Sequence, residues 1–238
     1  MREFYQHYFG VIMLFQIDGP MMRAFQKISD IIFLNMVFLL CCIPIVTIGP
    51  SVTAMYTVTL KMAAGVDYNV VKDFFRAFKS NFKQATAIWI ILLAFALMIA
   101  WFFNATRQSE IPYKVALYYA FLFLSLLLLL TASYAFPLQS KFENRILSTV
   151  KNAVIMGLSH LPHSVSILLI NAVPVVSLFA GEFFLQWGIP LLLGCGFSTL
   201  ALISSLIFNK IFAIYIPKET EDVPLPEEMR KTEEMDQT

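Results

Sequence analysis

The residues best suited to bind a ligand lie in a segment rich in helix breakers, between two apolar runs. Residues 47–53 read Thr-Ile-Gly-Pro-Ser-Val-Thr. If a half-helix begins here, its free backbone N–H groups and positive dipole end face a cavity, as at anion sites in transporters. The same Gly and Pro also suit a sharp, tightly packed turn. Thr47, Gly49, Ser51 and Thr53 are therefore candidate ligand residues, with a purely structural turn as the alternative.

Two asparagines lie within apolar runs and are further candidates. Asn35 and Asn171 each interrupt a stretch of hydrophobic residues. Polar side chains inside a membrane are costly and often mark a substrate pathway, but they also form hydrogen bonds between helices. Both uses stay open for these two residues.

Basic residues and phenylalanines alternate along residues 66–84. Five apolar side chains, from Val71 to Phe82, follow helical spacing, and cations occupy the positions between them. This pattern predicts an amphipathic helix at the membrane surface. Four of its cations are candidate contacts for lipid or for a cytoplasmic partner, with a merely solvated surface as the alternative: Lys72, Arg76, Lys79 and Lys83.

Residues for enzymatic or metal chemistry are not grouped in any known pattern. The sequence has no phosphate-binding loop, HExxH, GxSxG or GxGxxG motif. His160 and His163 flank Leu161-Pro162 without further ligands nearby, and the cysteines do not follow zinc spacing. We therefore expect a protein that is not an enzyme and that binds no metal or cofactor. Nucleic-acid binding is also not expected, because the cations flank apolar runs.

The composition indicates an integral membrane protein. Hydrophobic residues make up 58% of the 238 residues and charged residues 14%, against about 45–50% and about 25% in soluble domains. The apolar residues are gathered in runs of about 17–23 residues, the length that crosses a bilayer. We expect an all-α, polytopic transmembrane helical bundle with five to six membrane segments.

The first run, 31–48, contains Pro44, and Gly49 and Pro50 separate it from the second run, 51–64. Either the first run spans the membrane and the second lies at its surface, or both enter as a helical hairpin. The hairpin at 31–64 is favoured, although the side of the N-terminus stays open. Four later runs predict the remaining segments: 87–103, 113–136, 164–184 and 187–216.

Three regions follow from this pattern. Residues 1–30 form an N-terminal arm with an interfacial helix from Met21 to Asp30, and residues 31–216 form the membrane domain. Residues 217–238 contain eight of the 16 carboxylates but three of the 17 cations. This composition predicts a disordered acidic tail.

Lysine and arginine in short loops indicate the orientation. Loop 61–84 has five such residues and loop 138–152 has three, whereas loop 104–114 has two and loop 181–187 none. Because cytoplasmic loops are enriched in these residues, both basic loops are expected in the cytoplasm. The sequence therefore predicts a multi-pass protein of the cell membrane with a cytoplasmic C-terminus.

Three blocks of sequence carry a specific joint pattern. The first block is Leu34–Tyr56, with its Ile-Pro-Ile-Val-Thr-Ile-Gly-Pro-Ser core, and the second is Asp73–Thr86. The third is discontinuous: Ala135-Phe136-Pro137-Leu138, Phe142-Glu143 and Lys151-Asn152-Ala153. Together these blocks resemble the YesL-like family of bacterial integral membrane proteins, a domain of unknown function. The similarity covers roughly residues 15–215 and carries over no catalytic residues.

This resemblance implies a link to sugar uptake, because some family members are encoded beside carbohydrate-type ABC transporter components and sensor-kinase pairs. The leading hypothesis is an accessory or regulatory membrane protein that contacts the lipid bilayer and an ABC-transporter permease or sensor kinase. An autonomous small-solute transporter or channel, lined by Asn35, Thr47, Thr53 and Asn171, is the alternative. A lipid-interacting protein of envelope homeostasis is a third, weaker possibility.

Overall fold

A computed structural model of the chain describes residues 20–142, 145–179 and 181–215. The predicted acidic tail, most of the N-terminal arm and Glu143 lie outside these ranges. The described residues form helices joined by short connections and contain no strand. The helices are α1 (Pro20–Cys42), α2 (Ile48–Ala64), α3 (Val70–Gln108), α4 (Lys114–Lys141), α5 (Ile146–Ser159), α6 (Leu161–Phe179), α7 (Glu182–Leu191) and α8 (Phe197–Tyr215). This confirms the predicted all-α class.

The first two helices form the predicted hairpin. A short 3-10 turn at Ile45–Thr47 separates α1 from α2, as expected where Pro44 cannot donate a backbone hydrogen bond. The hydroxyl of Thr47 donates to the carbonyls of Cys41 and Pro44, at 2.6 and 2.7 Å. At the other end, the phenol of Tyr68 donates to Asp30 at 2.9 Å. The start of the membrane run and the end of α2 therefore lie close together, so of the two architectures the hairpin is the observed one.

Helix α2 lies at the centre of the bundle. Most of its residues are buried, and it packs against α3, α4 and α8. Gly49 touches α3 so closely that a Cβ atom here would lie 2.7 Å from the Cβ of Trp89 and would also meet the carbonyl of Ala85. Two polar contacts join α2 to α8: Thr59 to Ser205 at 2.8 Å, and the Asn209 amide to the Leu60 carbonyl at 3.0 Å.

Helices α1 and α3 run on past the ends assigned from sequence. The segment Met21–Asp30, predicted as a separate interfacial helix, is the first part of α1. The amphipathic helix starts at Val70 rather than at residue 66, because Gly65 ends α2 with a φ of 68° and Asn69 caps the next helix. It then continues through the apolar run as one helix of 39 residues, about 58 Å at 1.5 Å per residue.

Within the described residues, four helical stretches are long and apolar enough to cross a membrane: Ala24–Cys42, Val70–Gln108, Lys114–Lys141 and Gln186–Tyr215. The fifth candidate is the pair α5 and α6, which meet at a bend of 108°. The described residues therefore support four membrane spans, or five if this bent pair forms one span, and five is the lower end of the predicted range. Many large apolar side chains on these helices are exposed, among them Leu97, Trp101, Leu122 and Leu169, as expected for helices that contact lipid.

Candidate functional site

A polar cavity of about 710 Å³ opens at one end of the bundle, between α2, α3 and α4. It joins the two basic loops that are far apart in sequence. Helix α2 contributes Thr57 and Lys61, and the connection between α4 and α5 contributes Phe142 and Arg145. The other lining residues come from α3 (Asp73, Arg76, Ala77, Ser80, Asn81, Lys83 and Gln84) and from α4 (Gln139, Ser140 and Lys141).

The cavity wall is strongly cationic. Five described lining residues carry a positive charge and Asp73 carries a negative one. Asp73 pairs with Lys61, with 3.0 Å between the carboxylate oxygen and the ammonium nitrogen. Its carboxylate also accepts the backbone N–H of Asn69, the cap of α3. No other ion pair joins the described residues, so the remaining four cations have no bonded counter-charge there.

A network of side-chain amides forms one wall of the cavity. The Gln139 nitrogen donates to the side-chain oxygens of Gln84 at 2.5 Å and Asn81 at 3.2 Å. The Gln139 oxygen accepts from the Thr149 hydroxyl at 3.0 Å. Gln139 is only 3% exposed, so this network holds α3, α4 and α5 in fixed relative positions beside the cations.

The four predicted contact cations fall into two groups around α3. Arg76 and Lys83 line the cavity. Lys72 and Lys79 are exposed on the outer side, where Lys79 lies with Phe75, Phe82 and Lys83 around a second, mostly apolar depression. Lys83 therefore borders both the polar cavity and the amphipathic outer surface, whereas Arg76 borders the cavity and Lys79 the outer surface.

Asn35 is buried, and both its amide nitrogen and its amide oxygen are hydrogen-bonded to backbone groups. Its amide nitrogen donates to the carbonyls of Leu192 and Leu193, at 3.2 and 2.6 Å, and its oxygen accepts from the backbone of Ser198 at 3.0 Å. Leu192 and Leu193 are the first residues of a π-helical turn at Leu192–Gly196, where the normal backbone pattern is interrupted, and Ser198 lies just after it. Asn35 thus satisfies the backbone groups that the turn leaves open.

The other predicted pathway residues do not line the cationic cavity. Ser51 donates to the Thr47 carbonyl at 2.7 Å and Thr53 donates to the Gly49 carbonyl at 3.0 Å. Asn171, on α6, donates to the hydroxyl of Ser133 at 3.1 Å. The segment 47–53 is therefore the packed turn and first helical residues of α2.

The sequence reading missed the residues that complete the cavity. Lys61, Lys141 and Arg145 belong to the two basic loops, 61–84 and 138–152, which the sequence predicts to contact a partner, but they were not individual candidate site residues, and neither was Gln139. The signal was present, because two basic loops predicted on the same side of a membrane lie close together in a small bundle. The pairing of particular residues across those loops depends on the register between α3 and α4, which the sequence pattern does not give.

Other polar contacts serve the fold. The connection before α3 is tied to α1 by the bond from Tyr68 to Asp30. Burial, together with this bond, raises the pKa of Tyr68 to about 12, so the phenol remains a neutral donor at ordinary pH. His160 contacts the hydroxyl of Tyr215 at 3.1 Å. Among the described residues, no three His, Cys, Asp or Glu side chains are placed to hold a metal ion.

Residues 31–104 match a family model described as a protein of unknown function, DUF624. This stretch covers the hairpin and most of α3, and so includes part of the cavity wall. No curated protein and no solved structure matches the chain. The chain is thus a membrane-type helical protein with similarity to a family whose activity is not known.

Proposed function

We propose that the protein is a non-enzymatic accessory or regulatory component of carbohydrate uptake in the cell membrane. In this role it presents its basic end, in the cytoplasm, to an ABC-transporter permease or a sensor kinase. The similarity to the YesL-like family, noted from three sequence blocks, supports the link to sugar uptake.

The observation that carries this proposal is the outer surface of α3. Lys72 and Lys79 are exposed there, and so are the rings of Phe75 (49%) and Phe82 (37%). Aromatic rings are enriched in surfaces that bind another protein, and cations beside them attract a partner surface of opposite charge. Because α3 is longer than a bilayer is thick, this part of the helix can extend beyond the apolar layer.

The arrangement of the basic segments supports the proposed orientation. Residues of loops 61–84 and 138–152 line one cavity, and the end of α8 is beside them, where Phe142 and Phe212 are in edge contact at 5.4 Å. The two basic loops and the end of α8, which carries Lys210, therefore lie at one end of the bundle. Under the positive-inside rule this end faces the cytoplasm.

Site-specific photocrosslinking in native membranes tests this role. A photoreactive amino acid replaces Lys72 or Lys79 in the full chain, and the products are identified by mass spectrometry. The matched control carries the same group at Arg107, exposed near the far end of α3. We expect a sugar-type permease or a sensor kinase to be captured from positions 72 and 79 and not from 107.

Two results would contradict the proposal. Capture of lipid alone from both positions would assign the outer surface of α3 to the membrane. Solute flux by the purified chain alone in liposomes would favour an autonomous transporter instead.

A further inference from the structure

We propose that the cationic cavity is a binding site for a phosphoryl group, carried either by a lipid headgroup or by a small soluble molecule. The site adjoins the proposed partner surface at Ser80 and Lys83, but the residues that define that surface do not line the cavity: Lys72, Phe75, Lys79 and Phe82. The inference therefore does not depend on the partner role.

The first argument is the balance of charge. Lys61 is neutralised by Asp73 at 3.0 Å, and Arg76 also lies within the electrostatic reach of that carboxylate. Lys83, Lys141 and Arg145 share the same cavity without a bonded carboxylate among the described residues. Like charges held close together repel one another, and a bound anion removes this cost.

The second argument is that the cations come from separate elements that are rigidly joined. Arg76 is on α3, Lys141 ends α4 and Arg145 precedes α5. The buried amide of Gln139 bonds to α3 and α5 at once and so fixes these three elements. A preformed site of this kind binds without a large ordering cost.

The third argument is the match between the cavity and a phosphoryl group. A volume of about 710 Å³ falls within the range of about 300–1,000 Å³ usual for small-molecule sites. A phosphoryl group carries up to two charges and three acceptor oxygens, which suits several converging cations, and arginine can bind it through two parallel bonds. Basic pockets between membrane helices on the cytoplasmic side are also known to hold lipid headgroups.

The test measures binding by the purified full chain in two arms that separate the sources. In the first arm, inorganic pyrophosphate is titrated calorimetrically into protein held in nanodiscs of neutral phosphatidylcholine. In the second arm, native mass spectrometry counts phosphatidylglycerol retained by the protein in mild detergent. The cavity variant is Arg76→Gln/Lys141→Gln/Arg145→Gln. The matched control, Lys72→Gln/Lys79→Gln/Lys151→Gln, removes three exposed cations outside the cavity.

We expect the wild type and the control to bind in at least one arm, and the cavity variant to bind at least tenfold more weakly, which corresponds to about 1.4 kcal/mol. Binding in the first arm alone identifies a soluble phosphorylated ligand, and binding in the second alone identifies a headgroup. Equal weakening by the two triple variants in both arms overturns the proposal, as does absence of binding by the wild type. If the cavity variant is not monodisperse, the single change Lys141→Gln at an exposed position gives the same comparison.

Discussion

At the scale of single residues, polar side chains within the helices are bonded mainly to backbone groups of the same or a neighbouring helix. Thr53 and Ser51 bond to carbonyls one turn earlier, and Asn209 bonds across to α2. An unpaired polar group in an apolar environment costs free energy, so each such residue needs a partner. Asn35, with three such bonds, shows this most clearly.

Replacing Asn35 with alanine should destabilise the fold. The change leaves two carbonyls and one N–H group at the π-helical turn without their partner, at a cost of about 1–3 kcal/mol. The effect is measured as the loss of free energy of unfolding in mild detergent.

Asn171→Ala is the matched control, because its amide makes one bond, to Ser133 at a partly buried position. Asn171→Ala should lose clearly less free energy of unfolding than Asn35→Ala. If Asn35→Ala unfolds like the wild type but abolishes solute flux, Asn35 belongs to a transport pathway and the packing role is wrong.

Gly49→Ala should also destabilise the protein, through crowding rather than through a lost bond. The added methyl group meets the backbone of Ala85 and the Cβ of Trp89, and these atoms can move only if α2 and α3 separate. Overpacking of this kind costs about 1–3 kcal/mol, measured as a lower melting temperature. Gly194→Ala is the control, since nothing lies within 4 Å of its Cβ position. Equal melting temperatures of the two variants would show that α2 and α3 can move apart at little cost in free energy.

The residue scale is also where prediction from sequence was least complete. The chain pattern identified Asn35 and Gly49 as unusual, since one is polar in an apolar run and the other lies in a breaker cluster. It could not choose between a ligand and a neighbouring helix as their partner. That choice depends on contacts with Leu193 and Ala85, and these are fixed by how the helices pack rather than by local sequence.

At the scale of elements, breaks were predicted better than continuity. Pro44 and Gly65 end helices as their backbone preferences require. The sequence did not predict that the amphipathic segment and the apolar run form one continuous helix. Near Thr86 the side chains change from a mixed basic and aromatic pattern to an apolar one, but this change does not break the backbone. No Gly or Pro lies between Val70 and Gln108, so the backbone has no reason to bend there.

The length of α3 gives a direct test. Spin labels at positions 72 and 107, in a chain whose three cysteines are replaced by alanine, should lie about 52 Å apart along a continuous helix. A helix that turns along the membrane surface near residue 84 would bring these labels much closer. Labels at positions 72 and 83 are the control, because either shape places them about 17 Å apart.

At the scale of the whole molecule, one end of the bundle holds the cationic cavity, whereas the opposite ends of α3 and α4 carry two cations, Arg107 and Lys114, next to a largely apolar stretch. Near that opposite end, Phe103 packs on Tyr118 and Phe121, and Trp101 is 66% exposed. The hairpin of α1 and α2 ends at the level of Trp89, whose indole donates to the Ile45 carbonyl at 2.9 Å. Helices α3 and α4 therefore reach beyond the hairpin, and their outer parts are suited to lipid rather than to water.

The difference between the two ends of the bundle predicts which residues a water-soluble reagent can label from each side of the membrane. Single cysteines replace Lys72, Lys141 or Arg107 in the cysteine-free chain, and intact cells are treated with a maleimide that does not cross membranes. Because loops rich in lysine and arginine are retained in the cytoplasm, positions 72 and 141 should react only after the cells are opened. Position 107, at the far end of α3, should react in intact cells. Positions 72 and 141 lie at the same end of the bundle, so they should be labelled under the same conditions. Labelling of one without the other would contradict the packing of α3 against α4. If all three positions showed the reverse pattern, the orientation in the membrane would be inverted and the fold would stand.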